Sequence, residues 1–353
     1  MRPDDGRHNG RVQQDIGRLT TADGTEVAYA SVGAGRPLVY VGGWLSHLRL
    51  SWELPEERAF YESLADGCRL LRYDRAGCGL SASSARPPSM EYELEQLAAV
   101  AGLAGPEPFD LVGASMGALV AVAWAAAHPG SVRRLVLYGG WVSGAHVAEP
   151  DVRDHVLGLV GSHWGLGADV LTDIFAPDAT AAMRRSFGRY QRAASTAATA
   201  RSLLALSYEL DVGDLLAHVR TPTLVLHRAE DRAAPVEAAA ALASGIPGAK
   251  LVVLPGRSHL PYAGDALSVV APIRRFLGLR GLRRGLRALT PRQEQVAELV
   301  SDGCTNREIA ARLGIDERSA EGHVERIRLR LGFTSRSQIA SWYAARREGT
   351  APK

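Results

Sequence analysis

From Glu26 to Leu254 short apolar runs alternate with longer stretches of helical spacing. Glu26-Val27-Ala28-Tyr29-Ala30, Pro37-Leu38-Val39-Tyr40-Val41, Arg69-Leu70-Leu71-Arg72-Tyr73 and Phe109-Asp110-Leu111-Val112 read as strands. So do Arg134-Leu135-Val136-Leu137-Tyr138, Thr223-Leu224-Val225-Leu226 and Lys250-Leu251-Val252-Val253-Leu254. Most are apolar at successive rather than alternate positions, so both faces must be covered, and helical segments separate them. This pattern predicts an α/β domain with a doubly wound, mostly parallel sheet over residues 17–277. Residues 1–16 are expected to form a polar, disordered tail. Between about Val142 and Leu216 the strand rhythm stops, and helix formers with scattered aromatics (Trp164, Phe175, Phe187, Tyr190, Tyr208) take over. An insertion there would sit as a helical cap over the C-terminal ends of the strands, where open α/β sheets bind ligands.

Residues 278–288 carry three Gly and four Arg and read as a linker. Beyond them the period is helical throughout, over a small all-α domain of residues 289–348. Thr290 is placed as an N-cap with Pro291 at the first helical position, and Val296, Leu299 and Val300 form the apolar face. Asp302-Gly303 ends that helix. Asn306 opens a second with Ile309, Ala310 and Leu313, and Gly314 turns the chain. In a third helix, from about Glu317 to Leu331, Ala320, Val324, Ile327 and Leu331 fall on one face. Arg318, Glu321, Gly322, Glu325 and Arg328 fall on the other. Short helices with a Gly turn before a polar-faced third helix predict a four-helix, helix-turn-helix domain.

Charge sharpens this division. The whole chain carries +3, but the stretch from Arg280 to Lys353 has 15 Lys+Arg against 9 Asp+Glu, or +6, leaving −3 for the remainder. A basic tail on a mildly acidic body points to a polyanion partner, because phosphate neutralisation dominates nucleic-acid affinity. Cys68, Cys78 and Cys304 are odd in number and widely spaced, which suits reduced thiols in the cytoplasm and no disulfide scaffold. No metal-ligand spacing or cofactor motif stands out, so neither is expected. The first residues lack an apolar core, so no secretory signal is expected, and no apolar run is long enough for a membrane span.

The chemistry-bearing signal is Gly113-Ala114-Ser115-Met116-Gly117, a G-x-S-x-G sequence that follows an apolar strand and opens the Ala-rich helix from Ala118. Such a turn lifts a serine hydroxyl out of the sheet, and the helix N-terminus aims free N–H groups at developing negative charge. A hydroxyl nucleophile needs a base, and the base needs an orienting acid. Asp231 follows the strand ending at Leu226, with Glu230 as the alternative acid. His259 follows the strand ending at Leu254. The order Ser115, Asp231, His259 is the one this topology requires.

On these residues the stretch from Gly17 to Leu277 resembles the α/β-hydrolase family. Tyr73-Asp74-Arg75-Ala76-Gly77-Cys78-Gly79-Leu80-Ser81 is similar to its D-x-R-G-x-G-x-S loop, with Ala76 where an Arg is expected. Gly42-Gly43-Trp44 stands where the family has His-Gly-x. The resemblance implies acyl transfer through a Ser115 ester, with backbone N–H groups of Trp44 and Met116 as oxyanion donors. Nearby His47 reads as a surface or capping residue, with lining the pocket as the alternative. Leu289-Thr290-Pro291-Arg292, the run from Gly303 to Ala310 and the run from His323 to Gly332 resemble the LuxR-type DNA-binding domain. That implies a recognition helix in the major groove with Glu321, Gly322 and Glu325 facing bases. Phosphate contacts would come from Thr305, Asn306, Ser319, Arg326, Arg330 and Arg336, with Arg318 on the same surface. It also implies homodimers on double-stranded DNA, paired through the fourth helix with Ile339 and Trp342. The expected function is a cytoplasmic transcription regulator whose hydrolase-like domain binds a small, mostly apolar ligand. The alternative is a working esterase or lactonase acting on an ester or lactone substrate, with DNA binding secondary.

Overall fold

A computed structural model describes residues 12–279 except 178 and 180, together with Leu289, 291–331 and 335–348. The chain divides into two compact units, 1–280 and 281–353. The strands of the first unit are β1 (Asp15–Thr20), β2 (Glu26–Gly33), β3 (Arg36–Val41), β4 (Cys68–Tyr73), β5 (Phe109–Ala114), β6 (Val132–Tyr138), β7 (Thr223–Arg228) and β8 (Lys250–Leu254). They form one sheet in the order β1-β2-β4-β3-β5-β6-β7-β8. β2 pairs antiparallel with both β1 and β4, and every later pairing is parallel. β5 is buried at all six positions, as a central strand covered on both faces must be.

Two apolar clusters supply that cover, one on each face. One gathers Val39, Leu111, Leu119, Val122 and Leu137, the other Leu38, Phe60, Val112, Val136 and Ile273. The helices that carry them are α1 (Leu48–Glu53), α2 (Pro55–Ala65), α3 (Met90–Gly102), α4 (Met116–Ala127), then, past the cap, α9 (Val236–Gly245) and α10 (Ala266–Leu277). The cap lies between β6 and β7 and consists of α5 (Pro150–Ser162), α6 (Trp164–Phe175), α7 (Ala181–Ala194) and α8 (Ala197–Glu209). It is tied to the loop after β4, where Gly79 N donates to Ala194 O (2.7 Å) and Ser195 Oγ to Gly77 O (2.8 Å).

The expected tail of residues 1–16 ends before residue 16, while residues 1–11 lie outside the described residues. β1 begins at Asp15, inside the segment expected to be disordered, and Gln14 donates to Leu48 O at 2.8 Å. From Ile16 onward the residues of β1 alternate in exposure, and the strand is ordered by pairing with β2 and by Leu19 packing against the core, which a polar composition does not announce.

The second unit contains α11 (Pro291–Ser301), α12 (Asn306–Leu313), α13 (Glu317–Leu331) and α14 (Arg336–Glu348) around Val296, Val300, Ile309, Ala320, Ile327 and Ile339. Thr305 and Glu308 close a capping box at the start of α12, satisfying backbone donors that the first turn leaves open. Gly314 ends α12 at φ 64°, the left-handed conformation that lets the chain turn into α13. Thr290 and most of the expected linker lie outside the described residues.

Candidate active site and DNA-reading surface

The strand order reverses between β3 and β5, since β4 lies on one side of β3 and β5 on the other. Loops leaving these two strands therefore diverge and open a crevice at their C-terminal ends. Gly42-Gly43-Trp44 leaves β3 there, and Ser115 leaves β5. Ser115 has φ 56° and is the one non-glycine residue with positive φ among the described residues. Such strain persists only where neighbours enforce it, and here the motif glycines do so. A side chain at Gly113 would meet Gly117 O at 2.4 Å, and one at Gly117 would meet Val41 O and Gly42 O at 2.3 Å. β3, β5 and α4 come too close for anything larger than hydrogen.

The structure brings the three separated residues together. His259 Nε2 lies 2.8 Å from Ser115 Oγ, and its Nδ1 lies 2.7 Å from Asp231 Oδ2. Asp231 also accepts from Ala233 N at 2.9 Å. Burial pushes the Asp231 carboxyl up, but His259 and the hydrogen bonds to it outweigh that and hold its pKa below the ordinary value. An ionised Asp231 assigns the proton to Nδ1, leaving Nε2 to accept from the serine hydroxyl. Glu230, the alternative acid, is exposed, while its backbone N–H donates to Gly256 O. Asp231 alone of the two meets the histidine.

Trp44 and Met116 flank the serine. A side chain built on Gly43 would sit 3.5 Å from Ser115 Cβ, so the Gly43–Trp44 peptide borders the nucleophile. Neither the Trp44 nor the Met116 N–H has a protein acceptor among the described residues, and Met116 is the first residue of α4. Aromatic rings wall the site. Phe175 lies 5.6 Å from the His259 ring, and Trp44 stands edge-on to both Phe175 and Trp164. His47 takes the capping role, its Nδ1 accepting from Leu50 N at the start of α1.

Several supports were not legible beforehand. The carbonyl of Phe175, at the end of α6, accepts from His259 N (2.8 Å), Leu260 N (3.3 Å) and Ser258 Oγ (3.0 Å), tying the cap to the histidine loop. Buried Arg228 donates to Tyr138 Oη at 3.1 Å and to Ala263 O at 2.9 Å, bracing the same loop from below. In the loop after β4, Asp74 accepts from Leu48 N and Leu80 N, and Arg75 reaches the carbonyls of Gly42 and Gly43. Contacts of this kind join residues far apart in the chain, and no local spacing signals them.

In the second unit Arg318, Glu321 and Glu325 are exposed on α13, whereas Gly322 and Arg326 are half-buried. Glu325 receives Arg328 Nε at 2.8 Å, so this acid is already paired along its own helix. Other expected phosphate contacts also have internal duties. Thr305 caps α12, Ser319 Oγ donates to Asp316 Oδ2 at 2.6 Å, and Arg336 Nη1 donates to Asn306 Oδ1 at 2.7 Å. The side chain of Arg330 lies outside the described residues. Ile339 departs from expectation: it is fully buried in the core of its own unit and is not available to a pairing surface, whereas Trp342 is partly exposed.

Residues 38–273 match the alpha/beta hydrolase family, and residues 287–343 match the luxR family of bacterial regulatory proteins. A pyrrolizixenacetamide deacetylase of Xenorhabdus hominickii is 25% identical over 258 residues, covering 71% of this chain and 94% of that protein. A thermophilic esterase from Thermogutta terrifontis superposes with a TM-score of 0.64 at 26% identity, covering 75% of this chain and 98% of its own. A Mycobacterium bovis protein named as an HTH-type transcriptional regulator is 41% identical over 64 residues, 18% of this chain and 7% of that protein. No helix among the described residues is long and apolar enough to cross a membrane.

Proposed function

The chain belongs to the alpha/beta hydrolase family and carries a luxR-family regulatory domain behind it, and from that premise we propose a DNA-binding transcription regulator whose hydrolase-like domain binds a small, mostly apolar acyl compound. Homodimers on a two-fold DNA site in the cytoplasm complete the reading. The observation that carries it is the union, in one polypeptide, of an aromatic-walled Ser115–His259–Asp231 crevice with a helix-turn-helix unit whose α13 face is open to solvent. Coupling requires that the compound bind two DNA-affinity states unequally. The cap is the element placed to register occupancy, because Phe175 both walls the crevice and holds the histidine loop.

The complete relay favours a second reading, hydrolysis of the bound compound, with DNA binding secondary. His259 Nε2 takes the Ser115 proton as Oγ attacks the carbonyl carbon. The resulting oxyanion lies toward the Trp44 and Met116 N–H groups. The tetrahedral centre collapses, the leaving alkoxide receives the proton from His259, and a serine ester remains. Water, deprotonated by the same nitrogen, then releases the carboxylic acid and restores the serine. For a lactone the leaving alkoxide stays on the acyl chain, and one hydroxy acid results.

Two measurements separate the readings. A fluorophosphonate should label the parent protein at Ser115 and leave Ser115→Ala unlabelled; equal labelling of both would refute the relay. Operator affinity should shift when p-nitrophenyl esters or simple lactones occupy Ser115→Ala, which holds them without turnover. Unchanged operator affinity with the crevice filled would leave the hydrolase reading alone.

A further inference from the structure

Arg75 and Glu93 are each 2% exposed at the side chain and form a buried ion pair, Nε to Oε2 at 2.7 Å. Nothing in the Ser115–His259–Asp231 relay uses them. Burial works against the Arg75 charge, yet Glu93, together with Tyr73 and Cys78, outweighs it, so the guanidinium's pKa stands above its ordinary value and the cation persists. Its remaining donors do not reach solvent. Nη2 donates to Gly42 O at 3.0 Å, and Nη1 donates to Gly43 O. α3 fixes the arrangement from behind, for Glu93 lies on it and Gln96, one turn on, accepts from Ala76 N at 2.7 Å.

The peptide unit whose oxygen is Gly43 O is the one whose N–H belongs to Trp44. In a planar trans peptide the C=O and N–H point in opposite directions, so holding the oxygen aims the hydrogen. A cation on the oxygen also draws electron density from the nitrogen and makes the N–H a stronger donor, and in a low-dielectric interior such polarisation is little screened. We infer that Arg75 is a positioning residue for the oxyanion site, orienting and polarising the Trp44 N–H through the Gly43–Trp44 peptide. This rests on the reading of Ser115 as nucleophile. The same anchor explains how the loop after β3 holds its course with glycine at position 42, where no side chain is present to brace it.

An effect confined to the tetrahedral state should lower kcat and leave KM nearly alone, because the ground-state carbonyl gains little from the donor. A full-length Arg75→Met protein should hydrolyse p-nitrophenyl butyrate with kcat reduced about a hundred-fold, on the scale of losing one oxyanion donor, and KM within about three-fold. Phenylboronic acid, which becomes tetrahedral on the serine oxygen, should lose affinity in parallel. Arg75→Lys keeps a cation beside Glu93 but cannot reproduce a three-pronged fork, so it should recover about ten-fold of that loss. It carries the test if the methionine variant does not fold. A folded Arg75 variant with kcat and boronate affinity within two-fold of the parent would overturn the inference. So would a loss expressed wholly in KM. A parent protein that neither turns over ester nor binds boronate fails a step earlier, at the relay itself, and takes this inference with it.

Discussion

The two units set their polar side chains in opposite surroundings. In the first, Asp231, His259, Arg75 and Glu93 are all less than a tenth exposed, and each is held by hydrogen bonds inside the sheet's C-terminal edge. In the second, Arg318, Glu321 and Glu325 stand in water on α13. Chemistry on a carbonyl needs dipoles fixed in advance where water cannot reorganise, so its groups are buried and over-determined. Contact with a phosphate backbone needs charges that remain hydrated until the polyanion displaces their counterions. One unit should therefore respond mainly to proton balance at buried groups, and the other to ionic strength.

The sharpest break would come at the acid of the relay. Asp231→Asn removes the charge that orients His259 and assigns its proton, so ester turnover should fall about 10⁴-fold while the fold persists. Steady-state kinetics alongside thermal melting would check it, and a loss under ten-fold would shift the orienting role elsewhere. Next in size is the salt contrast. For full-length protein, DNA affinity should fall about 10³-fold between 50 and 200 mM salt, as expected for several phosphate contacts. Ester turnover should change less than about two-fold over that range, buried pairs being poorly screened. Parallel salt curves for the two activities would erase the distinction between the units.

A smaller effect tests proton balance in the buried unit away from the relay. Burial pushes the Glu57 carboxyl up to about 7. The folded form then keeps a proton that the unfolded chain loses above the ordinary carboxylate range. Stability should be greatest below that range and decline as pH rises toward 7. Glu57→Gln removes this decline, so the variant's Tm relative to the parent should improve by roughly a few degrees between pH 5 and pH 8. A constant difference would place the carboxyl's titration elsewhere. Least of all should come from Glu325→Gln on α13. Its pair with Arg328 is exposed and screened by solvent, so operator affinity should rise no more than about five-fold as a negative charge leaves the surface. A large loss in a binding titration would instead make Glu325 a base reader.

Features carried by neighbouring residues are legible in the sequence itself. Uninterrupted apolar runs such as Leu38-Val39-Tyr40-Val41 required a sheet covered on both faces. The glycines around Ser115 marked the strand-to-helix turn, and Pro291, Asn306 and Glu317 opened helices where capping and periodicity placed them. Tertiary structure decided the rest, because those choices depend on atoms far away in the chain. β1 exists through its register with β2, the choice of Asp231 over Glu230 through the path of the loop after β7, and the burial of Ile339 through packing within its unit. Arg75 was visible only as one letter of a loop; folding set it against Gly42 and Gly43, more than thirty positions earlier. Periodicity reports which face of an element is apolar. Which partner that face meets, and which carbonyl a buried cation finds, is settled only when the whole chain closes around them.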